Sequence, residues 1–237
     1  MSSSPNEPKK LKAELHAHVS GDPIDSWISH SAKDLIDELS SKGYDVIAIT
    51  PHTKLFSEDL GSYAHERGVL LICGIEARIE GCDVLIYNAD RSVESIASWD
   101  ELERYRDDHP DVLVIAPHPF FPRGARRIVL ERPGLFDAWE YSTFYSRTIN
   151  MNRKAELLAR KYGKPLVGTG DVHSLSLTGR TYTLIEAEPT VESVVRAIRR
   201  GAVRLETRPL RTIELLQLFV PNAPSYVWSY VKRLLKR

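Results

Sequence analysis

From residue 11 onwards the chain alternates short apolar runs with longer stretches in which apolar positions recur every three or four residues. The runs at 11–19, 45–50, 69–73, 84–87, 111–116, 136–141, 165–168, 180–187 and 203–207 are short and apolar or alternating, most of them rich in Val, Ile and Leu, so each is expected to be a strand. Several are almost wholly apolar, as strands covered on both faces are. The stretches at 26–42, 57–67, 98–108, 148–161 and 191–199 are expected helices. Ile28, Ala32, Leu35, Ile36 and Leu39 form one stripe, Trp99, Leu102 and Tyr105 a second, and Ile149, Met151, Ala155, Leu157 and Leu158 a third. Gly43, Gly68 and Gly163 stand where three of these helices should stop. A short helix is expected at 124–130, before Pro133-Gly134.

Strands alternating with helices predict an α/β architecture around a mainly parallel sheet. No internal repeat or low-complexity linker interrupts the pattern, so one domain is expected over 11–210. Residues 1–10 are polar, rich in Ser and Pro, and expected to be a disordered leader without the apolar centre of an export signal. Residues 211–237 are expected to be a C-terminal helical extension. Within it Tyr226, Tyr230, Val231 and Leu234 make an apolar stripe beside Lys232, Arg233, Lys236 and Arg237. Such a helix most often covers its own barrel; docking on a subunit, an anionic membrane surface or RNA is the alternative.

The polar residues choose between an open and a closed sheet. His16 and His18, His52, Glu76, His118, Glu140, and Asp171 with His173 all fall at or just past the C-terminal ends of expected strands. In a closed β/α barrel those ends converge on one mouth, whereas in an open sheet ends several strands apart stay far from one another. Closure is therefore expected. Two histidines two apart on a strand face the same way and can share one ion. Imidazoles mixed with the carboxylates of Glu76 and Asp171 suit Zn, Mn or Fe. Two ions about 3.5–4 Å apart would activate a water between them, the usual arrangement for phosphoester hydrolysis. His30, His65 and His109 fall on expected helices or their ends and read as surface or packing residues.

Composition narrows the class. The 237 residues are 42% hydrophobic, enough for a sizeable core. Lys+Arg and Asp+Glu both number 32, which argues against nucleic-acid binding through bulk charge and leaves only a local patch. Cys73 and Cys82 form no C-x-x-C pair and no disulfide framework, which suits a reducing cytoplasm as the expected location. No apolar run approaches the length of a membrane span, so a soluble protein without a transmembrane segment is expected.

Five segments carry a resemblance: Glu14-Leu15-His16-Ala17-His18, Ala48-Ile49-Thr50-Pro51-His52, Gly74-Ile75-Glu76, Ala116-Pro117-His118-Pro119, and Gly168-Thr169-Gly170-Asp171-Val172-His173. With the trailing Thr178-Gly179-Arg180-Thr181-Tyr182-Thr183, their order and spacing resemble the PHP (polymerase and histidinol phosphatase) family of metal-dependent phosphoesterases. The resemblance implies a distorted TIM-like β/α barrel of about seven strands and two or three divalent ions, Zn, Mn or Fe. It implies one ion on His16, His18, Glu76 and Asp171, and Glu76 bridging to a second on His118. Asp83 stands where the family usually has a His, and is a candidate ligand of that second ion. A third ion is implied on His52, His173 and a residue from the turn after His18, best matched by Asp22 with Asp25 as the alternative. A metal-bridging hydroxide would attack phosphorus, with Glu76, Asp171 and His173 as the catalytic residues. A further departure is Pro51, where the family often has an Asp before the His. Lys54 and the loop arginines Arg123, Arg126 and Arg127 could clamp a phosphate and Arg180 could face the substrate, while Glu140, where the family commonly has an acidic residue, would support the ligands from behind, face the substrate or be an ordinary residue of the barrel mouth.

Three readings follow. The leading one is a phosphoesterase acting on a small phosphorylated substrate or nucleotide, with an exonuclease or phosphodiesterase on short nucleic acids as its variant. A non-catalytic PHP-like metal-binding module is the second, opposed by the near-complete set of candidate ligands. An amidohydrolase-type barrel, the third, also begins with H-x-H, but the Pro-His-Pro and Gly-Asp-Val-His segments favour PHP.

Overall fold

In the computed structural model, which describes residues 10–219, sixteen elements follow one another. They are β1 (Lys10–Glu14), α1 (Ala32–Ser41), β2 (Val46–Ile49), α2 (Gly61–His65), β3 (Leu70–Ile79), β4 (Cys82–Tyr87), α3 (Trp99–Asp108), β5 (Leu113–Ala116), α4 (Ile128–Glu131), β6 (Ala138–Ser142), α5 (Asn152–Tyr162), β7 (Leu166–Thr169), β8 (Thr181–Glu186), α6 (Val191–Arg199), β9 (Val203–Thr207) and α7 (Thr212–Phe219). The nine strands make one sheet in the order β7-β6-β5-β4-β3-β2-β1-β8-β9. Neighbours are parallel except where β4 runs against β3 and β5, and β8 against β1 and β9.

The expected α/β barrel is present, distorted by two reversed strands. The expected runs at 69–73 and 84–87 are the arms of a long β-hairpin, because β3 continues through Glu76 and Arg78 to Ile79. Its two-residue turn has φ 46° at Glu80 and 82° at Gly81, and a pair of left-handed residues matches the twist of a tight hairpin. Two other elements are shorter than expected. The ladder of β1 stops at Glu14, and the chain beyond it bridges instead to the exit of β7 at Ala17 and Val172. The helix expected from 26 starts only at Ala32, where Ser31 and Asp34 form a reciprocal capping box. The expected C-terminal amphipathic stripe from Tyr226 to Leu234 lies outside the described residues, as do residues 1–9; of the extension, α7 is described.

Alternation along the strands separates two surfaces. One face contributes Leu11, Ala13, Val46, Ala48, Ile72, Leu85, Leu113, Ile115, Ala138, Val167 and Ile185 to the barrel interior, which α6 seals with Val194, Val195, Ala197 and Ile198. The other face packs outward, against α3 and α4 through Trp99, Leu102 and Ile128, and against α1 and α2 through Leu35, Ile36, Leu39 and Ala64. Glu76 and Arg78 share the parity of Ile72, Asp83 that of Leu85, Glu140 that of Ala138, and Thr169 that of Val167. The interior is thus apolar at one end and acidic at the other.

The edge strand β7 closes against β8 and β9 without a ladder, bonded to Thr183 of β8 and packed on Leu205 of β9. Gly168 N–H donates to Thr183 Oγ1 at 2.9 Å, and that hydroxyl donates back to Gly168 O at 2.8 Å. A Cβ on Gly168 would sit 2.8 Å from Tyr182 O and collide with Leu205, so the seam needs glycine there. Gly168→Ala is therefore expected to cost about 1–3 kcal/mol of unfolding free energy in a denaturant titration. Gly61→Ala, in open space, is expected to stay within about 0.5 kcal/mol; equal effects at the two sites would contradict the seam's role.

Candidate metal centre

His16 and His18 sit on the segment that leaves β1, held by reciprocal backbone bonds to Val172 (Val172 N to His16 O and His18 N to Val172 O, both 3.0 Å). The segment from β7 is fixed in turn by Glu14, which accepts Gly170 N–H at 2.8 Å and His16 N–H at 3.1 Å. A side chain on Gly170 would meet the Glu14 carboxylate at 2.6 Å, so glycine is what allows the two segments to touch. Burial pushes the Glu14 carboxyl up to about 8 in spite of these hydrogen bonds.

Four ring nitrogens and carboxylate oxygens converge from this base. His16 Nε2 and His18 Nε2 are 3.1 Å apart. Glu76 Oε2 lies 3.4 Å from the first and 3.3 Å from the second, and Asp171 Oδ1 3.4 Å and 3.6 Å. These separations resemble the edges of a tetrahedron whose centre is about 2.0–2.1 Å from each corner, the bond length of a zinc site with N and O ligands. Both rings have a carboxylate behind them: His16 Nδ1–H donates to Glu140 Oε1 at 3.1 Å and His18 Nδ1–H to Asp22 Oδ2 at 3.0 Å. With the protons drawn to Nδ1, the Nε2 lone pairs are left facing each other.

Glu76 extends the cluster. Its Oε2 also lies 3.0 Å from His52 Nε2, while its Oε1 turns to His118 Nε2 at 3.4 Å. Asp83 joins Glu76 and His118 in a third-corner position, and its carboxylate is shared with Arg78, whose Nε lies 2.5 Å from Asp83 Oδ1. The pair is not aligned as a hydrogen bond, so Asp83 Oδ1 and Arg78 Nε and Nη2 are buried without hydrogen-bond partners. His52 Nδ1 donates to Asp22 at 3.0 Å, so Asp22 supplies the backing carboxylate that Pro51 cannot. Asp22 also accepts the backbone N–H groups of Ile24, Asp25 and His52, whereas Asp25 Oδ2 lies 2.9 Å from His173 Nε2. His118 and Asp171 are held at φ 29° and 43°, backbone conformations that cost energy outside glycine and mark both as positions where surrounding structure enforces the geometry.

Burial alone would depress the imidazole pKa values, but the carboxylates outweigh it. Asp171, Glu76 and Glu140 raise His16 well above its ordinary value, and Asp171, Asp22 and Glu76 raise His18. Asp22 and Glu76 bring His52 to about 9, Glu76, Glu140 and Asp171 bring His118 to about 9, and Asp171 and Asp25 bring His173 to about 10. Conversely, against the penalty of burial, Glu76 and Asp171 are held well below the usual carboxylate range by the facing imidazoles, His16 foremost.

All nine candidate ligands from the sequence are brought together: His16, His18, Asp22, His52, Glu76, Asp83, His118, Asp171 and His173. The substrate-binding candidates divide. Arg123 lines the open cleft of about 470 Å³ above the cluster, with Phe121, Pro122 and Phe144. Lys54 instead borders a separate hollow beside Pro23 and Phe56, and Arg180 lies 3.9 Å from Glu214 on α7; neither is among the residues lining the cleft. Glu140 does not face substrate: it is fully buried and divides its oxygens among His16, the Thr169 hydroxyl and the His118 N–H (2.5 Å). Glu14 and Arg78 escaped sequence reading as site residues, although Glu14 opens the first motif and Arg78 follows Glu76 by one strand period. His30, expected to be a surface or packing residue, is buried with Nε2 2.9 Å from His18 O.

Residues 150–203 match a family model described as PHP-associated. A search of curated proteins gives no match. Among solved structures, a two-domain Bacteroides vulgatus protein containing a predicted PHP-like metal-dependent phosphoesterase aligns with TM-score 0.64 and 16% identity, over 93% of this chain and 74% of that one. PsfC from Pseudomonas syringae aligns at 0.58 and 17%, over 96% and 99%. Endonuclease Q, in complex with a 27-mer duplex carrying an abasic lesion, aligns at 0.56 and 12%, over 86% of this chain but 60% of that protein. The fold is thus a distorted β/α barrel of the PHP type. The matched segment and the fold of these neighbours agree with the PHP resemblance of the strand-end motifs.

The donor set fits divalent ions: neutral imidazole nitrogens and carboxylates converge, and Asp171 Oδ1 is buried without a hydrogen-bond partner. Protons and ions must therefore compete for the same atoms. In metal-stripped protein the raised histidines and Glu14 bind protons more tightly folded than unfolded. Their contribution to stability is complete below the ordinary values, near 6.5 and 4.5, and fades as pH climbs to the folded values of about 8 to 10. The lowered Glu76 and Asp171 act oppositely, losing their contribution on the acid side. The Tm of the metal-free protein is expected to fall between roughly pH 6.5 and 10, and added Zn²⁺ to flatten that decline. A metal-free Tm that rises over this interval would refute the assignment.

Proposed function

We propose that the protein is a metal-dependent phosphoesterase that hydrolyses a small phosphomonoester or nucleotide. The observation that carries this is the Glu76 carboxylate, whose Oε2 faces His16, His18 and His52 while its Oε1 faces His118. One buried carboxylate aimed at separate groups of ring nitrogens is suited to bridging ions rather than to holding one. In this reading His16, His18, Glu76 and Asp171 hold the first ion, Glu76, His118 and Asp83 the second, and His52 and His173 a third with Asp25. Asp22 and Glu140 then orient rings from behind.

Divalent ions bound there would lower the pKa of water and offset the negative charge of a phosphoryl group. The chain's own residues do the rest. The dry floor of the barrel excludes bulk water beneath the cluster, and Arg123 presents a guanidinium to the open cleft. Asp171 Oδ1, which would face the first ion, lies 3.3 Å from His173 Nδ1. His173 lines the cleft beside Asp171 and is where a proton released at the site would meet solvent. The phosphoesterase and nuclease names of the structural neighbours agree with this reaction class.

Metal analysis paired with p-nitrophenyl phosphate and bis-p-nitrophenyl phosphate assays tests the reading. The wild type is expected to carry at least two ions per chain and to prefer the monoester; the opposite preference would favour the diesterase reading. Asp171→Ala is expected to lose at least 1,000-fold in kcat, an order-of-magnitude estimate for removing a shared ligand and base. Glu140→Gln is expected to keep the fold and weaken metal binding about 10- to 100-fold, since Glu140 backs the His16 ring and holds the His118 backbone without facing the ions. Metal-loaded protein that turns over neither ester would sink the enzymatic reading and leave a binding module.

A further inference from the structure

The β3–β4 hairpin carries an ion pair across its own ladder. Arg78 and Asp83 are register partners one pair from the turn, so their side chains leave the same face of the sheet. Glu76 stands on that face too, one strand period before Arg78. Arg78 Nε lies 2.5 Å from Asp83 Oδ1, yet these two atoms and Arg78 Nη2 complete no hydrogen bond and are shut off from water. A buried charge pair whose donors and acceptors go unmet is costly. Asp83 has a second claim on it: its carboxylate, that of Glu76 and the His118 ring bring ligand atoms within 4.8 Å of one another. The other carboxylates of the cluster, Asp22, Glu76, Glu140 and Asp171, face imidazoles instead. An imidazole can be neutral when an ion binds beside it, whereas a guanidinium stays charged. The tight turn fixes the register, so this charge is built into the position.

We propose that Arg78 is a positioning residue that makes the second ion position conditional on divalent-ion concentration. It holds Asp83 until an ion takes that carboxylate, and an ion at Glu76, His118 and Asp83 binds against its fixed charge. Among the described residues, the ligands of the first position (His16, His18, Glu76 and Asp171) have no ion pair with Lys or Arg. The two positions therefore fill in separate steps, and chemistry that needs both ions switches on at the second. This rests on the ligand assignment of the proposed function, but ion binding is read without any substrate.

Metal-stripped full-length protein is titrated with Mn²⁺, and the free ion is read from its EPR signal in solution. The wild type is expected to bind in separated steps, of which Asp83→Asn weakens the one that belongs to the second position. Arg78→Met, similar in length but uncharged, is expected to move that same step to about 10- to 100-fold lower Mn²⁺ and the tighter step by no more than about twofold, the scale on which neighbours of metal ligands act. Arg78→Lys keeps the charge and should stay within about threefold of the wild type at both steps. Thermal melts separate this role from a merely structural one. Arg78→Met leaves the Asp83 carboxylate unpaired, so its metal-free Tm should fall below that of the wild type. Saturating Mn²⁺ should then raise its Tm by more than it raises the wild type's. A structural role would lower both melts alike and move no step. Arg78→Gln should repeat the shift, and it replaces Arg78→Met if that variant does not fold. An Asp83→Asn protein with no weakened step, steps unmoved in the uncharged variants, or a second step that weakens in them overturns the proposal. If the steps shift as expected but no ester is hydrolysed, the reaction class fails and the role of Arg78 stands.

Discussion

Two imidazole lone pairs facing each other across 3.1 Å set the terms for the rest of this molecule. Each neutral ring would keep its proton on Nδ1, because Glu140 and Asp22 can only accept there. The facing Nε2 atoms then repel unless something positive lies between them. The same demand is repeated around the cluster, where Asp22, Glu76, Asp83, Glu140 and Asp171 are all nearly inaccessible to water, and no Lys or Arg among the described residues is buried as deeply. Packing of this kind is unfavourable unless the charges are matched. Without ions, protonated histidines supply the match, which is why their pKa values rise. Two or three divalent ions would supply about four to six charges, enough to release those protons.

The scaffold answers that demand with rigidity. An apolar layer sealed by α6 forms the floor, so the charged layer rests on side chains that cannot hydrate it. The β1 and β7 exits are tied together by the Val172 bridge and by Glu14 against Gly170, while the hydroxyl of Thr183 closes the seam one residue pair below. The positive φ values of His118 and Asp171 lie where this framework is most constrained. Strain at such positions persists only because neighbouring contacts over-determine the backbone.

Much of this was legible in the sequence because period-two and period-three-to-four patterns report burial directly. Strand ends are also visible as places where apolar runs break into His, Glu or Asp, so the convergence of His16, His52, Glu76, His118 and Asp171 could be argued before any coordinates. The β3–β4 hairpin was not legible, since Glu80-Gly81 lacks the Asn or Asp that usually announces a turn with two left-handed residues. Missing it hid Arg78, which shares a face with Glu76 only if the strand continues. For Asp22 and Glu140 the neighbourhood was legible but the side of the ring each meets was not. Sequence spacing shows that a carboxylate is near a histidine, but not whether it meets the front of the ring or the back.

That front-and-back distinction also ranks the candidate ion positions. His16 and His18 each have a carboxylate behind the ring, which fixes the tautomer and raises the basicity of the nitrogen facing the ion. His118 has none: its Nδ1 is buried without a partner, and the carboxylate beside it, Asp83, is divided between the cluster and Arg78. An ion at Glu76, His118 and Asp83 would therefore compete with a guanidinium for one ligand and rely on an unsupported ring for another. The first position would fill at lower metal concentration than the second. Where an imidazole would have been a neutral ligand free of any cation, Asp83 couples this position to Arg78, and through its backbone bond to Arg123 O at 2.9 Å to the loop that borders the cleft. Occupancy of the second position would in this way be linked to the arrangement of the cleft's basic edge through a single aspartate.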